Sequence, residues 1–395
     1  MPANTVRIEK LVFGGYGLGR DSAGVVLIPG VAEGELVEFA NDGTKGGTRV
    51  GRVAKIVEES PLRRAAPCAY AEECGGCDWL HLLYGEQARC KKEIFLDCAT
   101  RIGKFGHPSG IEIFTANEFG YRMRAQIKID RQNKRAGFFR RKTNGVVRID
   151  ECPLLVDGIN GVLARLNSGM VDAFPDRVQN IRVLAGQSVA SSPAIAGLTS
   201  ASTEINVSGI KFIADGGSFF QSNRFLLEKL GRWAQGRLGG GYCMDLYGGI
   251  GFFSLMLADD FDGIALVECL PAQIKAAERN FQINGKLRIK AILADVESGA
   301  WIGAECGKRL GELTKRSAPD CVIIDPPRPG LAKSVRNWLI SAAPPAILYV
   351  SCNPPTFARD AGALIRGGYK LADWSLFDLY PNTHHIESAA IFYRR

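Results

Sequence analysis

No run of apolar residues in this sequence approaches the ~18 needed to span a bilayer, which excludes a protein built from membrane-crossing helices. The opening Met1-Pro-Ala-Asn-Thr-Val-Arg7 lacks the apolar core of a secretory signal. Position 2 is proline where myristoylation needs glycine, and Ile391-Phe-Tyr-Arg-Arg395 carries no cysteine to prenylate. The expectation is a soluble, cytoplasmic protein without a lipid anchor. Histidine is scarce, four residues in 395, and no internal repeat is evident. A composition of 46% hydrophobic and 23% charged residues excludes a wholly disordered, collagen-like or fibrous chain. The length suits two or three separate cores.

What is present is a basic excess. The 49 Lys and Arg outnumber 41 Asp and Glu by eight, which suggests a polyanionic partner without specifying one. The excess is local. Between Tyr121 and Asp150 ten basic residues (Arg122, Arg124, Lys128, Arg131, Lys134, Arg135, Arg140, Arg141, Lys142, Arg148) meet two acidic ones, Asp130 and Asp150. Residues 1–60 hold seven basic and eight acidic side chains, so any nucleic-acid binding there must rest on shape or specific contacts.

Residues 1–60 contain short apolar runs (Val25–Ile28, Glu35–Phe39, Arg49–Val57) separated by glycine-rich turns, the pattern of a small antiparallel, OB-like β-barrel. From residue 61 to 215 the pattern is that of a central α+β module. It has a cysteine-rich loop, then a helix from about Gly85 to Ile102 with Cys90, Ile94 and Cys98 on one face. Residues 121–150 alternate basic and apolar positions, as strands do when one face is buried and the other wet, so the basic side chains are expected on one sheet surface. Residues 191–203 lack periodicity and read as a loop. Residues 216–395 form a third unit. From Tyr242 on, strand-like segments (Tyr242–Tyr247, Gly263–Glu268, Ile289–Leu293, Cys321–Asp325, Ile347–Ser351) alternate with helical ones at 271–284 and 331–343. This is the rhythm of a Rossmann-like parallel sheet, with ligands at the carboxyl ends of its strands. The fold class is therefore multidomain α/β.

The first of these strands runs into Tyr247-Gly-Gly-Ile-Gly251, whose Gly249 and Gly251 allow close approach of a ligand at a strand-to-helix turn. Glu268 ends the second strand near the spacing at which a carboxylate accepts ribose hydroxyls. Together they suggest an adenosine-containing cofactor. Ser254 replaces the third glycine of the dinucleotide fingerprint, and a ligand-free structural turn is the competing reading. Asp325-Pro-Pro-Arg328 fixes a rigid turn suited to a flat base. Cys352, in Ser351-Cys-Asn-Pro354 at a strand end, is either a nucleophile or a buried packing cysteine. Glu387, after Tyr380-Pro-Asn-Thr-His-His-Ile386, is either a general base or a solvated loop residue. Cys68-x5-Cys74-Gly-Gly-Cys77 places three thiols in one loop, and Cys152 supplies a possible fourth. In a cytoplasmic protein this spacing points to metal rather than disulfide, with zinc and iron–sulfur both open.

Taken in order, Cys68, Cys74, Cys77 and Cys152, Phe219-Phe-Gln221-Ser-Asn223, Tyr247 through Gly251, Glu268, Asp325-Pro-Pro-Arg-Pro-Gly330, Ser351-Cys-Asn-Pro354 and Thr383-His-His-Ile-Glu387 resemble the bacterial RNA uracil-C5-methyltransferases. The resemblance is to the iron–sulfur branch that modifies large-subunit (23S) ribosomal RNA, and it covers nearly the whole chain. It implies an N-terminal TRAM domain and a [4Fe-4S] cluster on the four cysteines. It also implies a class I methyltransferase domain with Gln221, Tyr247, Glu268 and Asp325 at S-adenosylmethionine or its junction with the target base. Two positions depart from the family pattern: Phe252 stands where relatives often carry a polar cofactor contact, and Asn382 where a histidine is common.

The implied reaction explains the two remaining motifs. Uracil C5 is a poor nucleophile, so the Cys352 thiolate adds to C6, the resulting enolate attacks the methyl sulfonium, and Glu387 removes the C5 proton before Cys352 departs. The implied partner is free or early-assembly ribosomal RNA, with no membrane and the protein acting as a monomer. A folded RNA must turn its base out, and the basic surface at 121–150 would hold the flanking phosphates. The rival readings are the same chemistry on the transfer RNA T-loop, an inert RNA-binding assembly factor, and a radical enzyme. The last is disfavoured by four available cluster ligands and the lack of C-x3-C-x2-C.

Overall fold

The computed structural model describes residues 4–106, 110–175, 179–298 and 319–395. Five strands, β1 (Asn4–Val12), β2 (Tyr16–Asp21), β3 (Gly24–Pro29), β4 (Leu36–Lys45) and β5 (Thr48–Glu58), close into a barrel in the order β1-β2-β3-β5-β4. Alternation puts Val6, Ile8, Val26, Ile28, Val37 and Phe39 in its small interior. Gly19 keeps that interior closed, because a Cβ there would stand 2.6 Å from the Val6 side chain.

Helix α1 (Tyr84–Cys98) follows and continues as a single π turn over Ala99–Gly103, the outcome of the helix expected to 102. Its buried face carries Cys90, Ile94 and Phe95, and Phe95 stacks on Phe357 with ring centroids 5.2 Å apart. The short strand β6 (Glu112–Phe114) comes next. Then β7 (Arg124–Asp130), β8 (Arg135–Phe139), β9 (Val146–Arg148), β10 (Asn180–Ala185) and β11 (Val189–Ser192) form one sheet in the order β11-β10-β7-β8-β9. Helix α2 (Asp157–Asn167) covers it with Ile159, Val162, Leu163 and Leu166 at helical spacing. β12 (Ser202–Val207) and β13 (Ile210–Asp215) make a hairpin. The 191–203 segment is therefore shorter as a loop than its sequence suggests, because Ser191 and Ser192 end β11 and Ser202 and Thr203 begin β12.

The C-terminal part comprises helix α3 (Leu227–Ala234), β14 (Gly240–Leu246), α4 (Phe252–Met256), β15 (Phe261–Glu268), α5 (Pro271–Ile283), β16 (Ile289–Leu293), β17 (Cys321–Ile324), α6 (Lys333–Ala342), β18 (Ala346–Ser351), α7 (Pro354–Arg366), β19 (Tyr369–Phe377) and β20 (Glu387–Arg394). The sheet runs β16-β15-β14-β17-β18-β20-β19-β6. β14 to β18 are parallel, and β17 and β18 are buried at every position, as a sheet covered on both faces requires. The chain order reverses between β14 and β17, and a crevice opens at such a switch point. β6 pairs in parallel with Ser375–Phe377 of β19. An edge strand and a helix from the central sequence segment thus complete the C-terminal layers. Among the described residues no helix is long and apolar enough to cross a membrane.

Candidate active site

A single cleft of about 1230 Å³ runs from the carboxyl ends of the parallel strands to the β7–β8 sheet. It is larger than a typical small-molecule pocket, and so has room for a cofactor and an extruded nucleotide together. Cys68, Cys74, Cys77, Cys152, Gln221, Tyr247, Gly249, Glu268, Asp325, Cys352 and Glu387 all line it, although they come from segments more than 300 residues apart.

At one end Tyr247 takes a left-handed φ of +61° and Gly249 one of +56°. A Cβ on Gly249 would meet nothing within 4 Å, so the turn leaves open space where a ligand can touch the backbone. Gly251 faces the other way, since a Cβ there would stand 2.6 Å from the Phe281 ring. Its part is packing of the turn against α5. Glu268 accepts backbone N–H bonds from Gly249 (3.1 Å), Cys269 (2.8 Å) and Leu270 (2.9 Å). Buried beneath, Asp245 accepts from Ser254 N (3.1 Å) and Oγ (2.6 Å), and burial still pushes its carboxyl up to about 7. Gln221 is buried and lines the cleft with its Oε1 unpaired among the described residues. Phe252 lines the cleft as part of an aromatic cluster with Phe212, Phe220 and Phe253.

At the other end the antiparallel register pairs Ser351 with Ser388, which sets Cys352 and Glu387 opposite one another one step further along. Asn353 caps α7, and its Nδ2 donates to Arg328 O (3.0 Å) while Thr356 Oγ1 does the same (3.2 Å). The Asp325-Pro-Pro-Arg328 turn is thereby fastened to the Cys352 strand end. Burial, then Glu387 and Asp325, push the Cys352 thiol up to about 12, against the opposing effect of Arg328. Burial and Asp325 raise Glu387 well above the usual carboxylate range, and burial with Asp245 lifts Asp325 to about 7. Burial thus raises the proton affinity of Cys352, Glu387 and Asp325 together. A positive charge placed in the cleft would favour their ionised forms.

The turn before Glu387 is held in large part by residues that sequence reading did not single out, Lys91, Gln87, Arg64 and Asp78 among them. Lys91 of α1, 1% exposed, donates to Asp378 Oδ1 (2.6 Å) and Tyr380 O (2.9 Å). Asn223 Nδ2 donates to Leu379 O (3.2 Å) and Tyr121 Oη to Pro381 O (3.1 Å). Asn382, at φ +66°, accepts from Arg64 (2.8 Å) and Gln87 Nε2 (3.1 Å) and donates its backbone N–H to Gln87 Oε1 (2.7 Å). Its carbonyl accepts from Trp79 N (3.1 Å). His384 Nδ1 lies 2.6 Å from Asp78 Oδ2, and the barrel's Phe13 meets the His384 ring edge-on. The signal for Lys91 was a lysine on the apolar face of an amphipathic helix, which demands a buried partner.

The four thiols share one region of the cleft and influence one another electrostatically. Asn160 holds the Cys152 backbone at both N (2.9 Å) and O (3.1 Å), and Gly75 N donates to Phe139 O (2.9 Å), which ties the loop to β8. Among the described residues the only trio of metal-type ligand atoms within 4.8 Å of one another is Glu33, Glu86 and Cys90. Arg89 already bridges those two carboxylates, so the group is an ion-pair network.

The basic wall is narrower than the sequence suggests. Lys134 pairs with Asp172, Arg140 with Glu73, Lys142 with Asp42 and Arg148 with Asp150. Arg122, Arg124, Lys128 and, from β10, Arg182 line the cleft without a carboxylate partner among the described residues. Two exposed rings flank them: Arg124 lies 5.1 Å from the Phe219 centroid and Lys128 4.6 Å from Phe139.

A parallel sheet with a glycine turn, a carboxylate at the second strand end and a thiol facing a buried carboxyl defines a nucleoside-cofactor enzyme of the methyltransferase type. The tRNA (Uracil-5-)-methyltransferase family matches residues 199–395. An "Uncharacterized RNA methyltransferase" of Aquifex aeolicus is 33% identical over 97% of both chains. The "23S rRNA (uracil(1939)-C(5))-methyltransferase RlmD" of Shewanella amazonensis is 27% identical over 98% of this chain and 95% of its own, and that of Aeromonas hydrophila 28% over 96% and 93%. The crystal structure of Pyrococcus abyssi tRNA (uracil-54, C5)-methyltransferase with S-adenosyl-L-homocysteine superposes with a TM-score of 0.73. It covers 98% of this chain and 100% of that one at 23% identity, and so shares the fold. The chain belongs to the RNA uracil-5-methyltransferase family, whose members act on RNA with S-adenosylmethionine.

Proposed function

We propose that this enzyme forms 5-methyluridine in large-subunit ribosomal RNA through a covalent adduct on Cys352. The observation that carries the chemistry is the pairing of Cys352 and Glu387 across β18 and β20, with Asp325 beside both. S-adenosylmethionine supplies the methyl group as a sulfonium. Gln221, Tyr247, Gly249 and Glu268 line the end of the cleft suited to it, with backbone N–H groups aiming the Glu268 carboxylate. The Cys352 thiolate forms a bond to uracil C6, the C5=C6 electrons pass into the enolate, and C5 takes the methyl group. The Glu387 carboxylate removes the C5 proton, the C5=C6 bond re-forms, and sulfur leaves as thiolate. Burial raises the proton affinity of both groups, and the positive sulfonium of the cofactor would favour their ionised forms.

Ribosomal RNA is favoured over transfer RNA by the full-length likeness to the RlmD proteins; the barrel does not decide between them, because the transfer RNA (uracil-54) enzyme of Pyrococcus abyssi superposes over 98% of this chain. We read the barrel as a TRAM domain and Cys68, Cys74, Cys77 and Cys152 as ligands of a [4Fe-4S] cluster. The four cysteines line one region of the cleft, close enough that neighbouring sulfurs add to burial in raising the Cys74, Cys77 and Cys152 thiols, which supports this reading, and a cluster held by four thiolates uses such a set. Its place is structural, ordering the loop that meets β8, and iron and acid-labile sulfide analysis of anaerobically purified protein tests it.

The decisive experiment is a denaturing-gel shift with S-adenosylmethionine and 5-fluorouridine-substituted RNA. Fluorine at C5 cannot leave as a proton, so the methylated adduct stays on Cys352. A shift with 23S fragments that disappears in Cys352→Ala is the expected result. A shift with transfer RNA alone overturns the substrate, and no shift with either, from protein that binds both partners, leaves an inert RNA-binding protein.

A further inference from the structure

Gln273 lies at the third position of α5, and its side chain lines the cleft beside Glu268, Leu270 and Gly249. It is 8% exposed, and its Oε1 is buried without a hydrogen-bond partner among the described residues. A buried polar atom left unpaired calls for a reason, because folding has removed its water without replacing it.

The usual structural reason for glutamine at this helix position is a capping box, in which the side chain reaches back to the N-cap N–H. Here the N-cap is Leu270, and its N–H already donates to Glu268 Oε1 at 2.9 Å. Glu268 has taken the capping work, and the Gln273 amide has no role in holding the helix start. Two turns further along the same face, Asn280 shows what a structural amide looks like. It accepts from Ile213 N (2.8 Å) and donates to Ile250 O (3.2 Å). The contrast between the two amides marks Gln273 as the one facing a ligand.

We propose that Gln273 is a further binding residue for S-adenosylmethionine, its side-chain oxygen accepting a hydrogen bond from a donor on the nucleoside half. The proposal rests on reading this end of the cleft as the cofactor site. Glu268 stands where ribose hydroxyls bind, and Gln273 continues the same wall. Adenosine carries the required donors in its amine and hydroxyls, and Gln273 lies on the Glu268 side of the cleft, where the nucleoside is read to bind, rather than beside Cys352, which the sulfonium methyl must face.

The test is calorimetric titration of full-length protein with S-adenosylhomocysteine and, separately, with adenosine, alongside thermal melts without ligand. Gln273→Leu removes the amide and keeps the bulk, and Gln273→Met serves as a second apolar variant. The expected result is a loss of about tenfold in affinity for both ligands, with an unliganded melting temperature equal to or above wild type. Unchanged affinity overturns the proposal. Weakened S-adenosylhomocysteine with unaltered adenosine places the contact on the other half and overturns it too, as does a lowered melting temperature in both variants, the mark of a structural amide. Wild-type protein that binds neither ligand overturns the reading of the cleft itself, a result separate from any of these.

Discussion

Glu268 and Glu387 place the same carboxyl group at two ends of one cleft, and their surroundings differ in nearly every respect. Glu268 receives three backbone N–H bonds. The Glu387 side chain, in a residue 3% exposed, accepts a hydrogen bond from no described residue, and burial with Asp325 beside it drives its proton affinity up. A carboxylate already oriented by peptide donors is suited to accepting hydroxyls in a fixed direction. One buried without donors binds a proton strongly, which is what removing hydrogen from carbon demands. Both residues end or begin a strand, so position in the sheet does not separate them. The density of donors does.

The sharpest way to break this comparison is to make one substitution at both sites. Glu387→Gln is expected to lower turnover by about 10²–10⁴-fold, to accumulate the methylated adduct, and to leave S-adenosylhomocysteine affinity intact. Glu268→Gln is expected to weaken S-adenosylhomocysteine by roughly tenfold while single-turnover chemistry at saturating cofactor survives. Calorimetry and adduct assays on the pair decide it: losses falling in the same parameter for both variants would end the distinction.

Asp245 separates donors from burial, because it has both. Ser254 donates twice to it, yet its carboxyl still rises from 3.8 to about 7. The folded state therefore binds a proton that the unfolded chain has released. The stability it contributes is complete below about pH 4 and is lost as pH rises toward 7, by an amount of order 4 kcal/mol. Asp325 acts in the same direction. Urea midpoints of the ligand-free protein should fall across this range, and Asp245→Asn, which keeps an acceptor for Ser254, should flatten the slope. An unaltered slope would show that Asp245 does not titrate there.

Much of this was legible beforehand, for identifiable reasons. Cys352, Glu268 and Asp325 follow strands of a regular β–α alternation, so period and spacing placed them at one sheet edge. The residues that hold them depend on contacts no local pattern carries. Lys91 and Asp378 are 287 positions apart, and Gln87 and Asn382 are 295 apart. Strand β6 is three residues long and gains its identity only by pairing with β19. The basic run misled in one respect, since charge counting could not foresee that Glu73, Asp172 and Asp42 neutralise part of it.

That neutralisation yields the smallest of the expected effects, and extends the comparison from carboxylates to cations. Lys128 lies in the cleft, free of carboxylates and beside Phe139, while Lys134, six residues on, is held 3.0 Å from Asp172. A free cation that meets phosphate releases about one counterion, so Lys128→Ala should weaken RNA binding severalfold and reduce the slope of log affinity against log salt by about one. Lys134→Ala exchanges an exposed ion pair for an exposed carboxylate and should leave that slope within error. Filter binding of 23S fragments over a salt series reads both. Equal slopes for the two variants would mean that the cleft wall does not discriminate between its cations, and that RNA approaches from a broader surface than the four unpaired residues define.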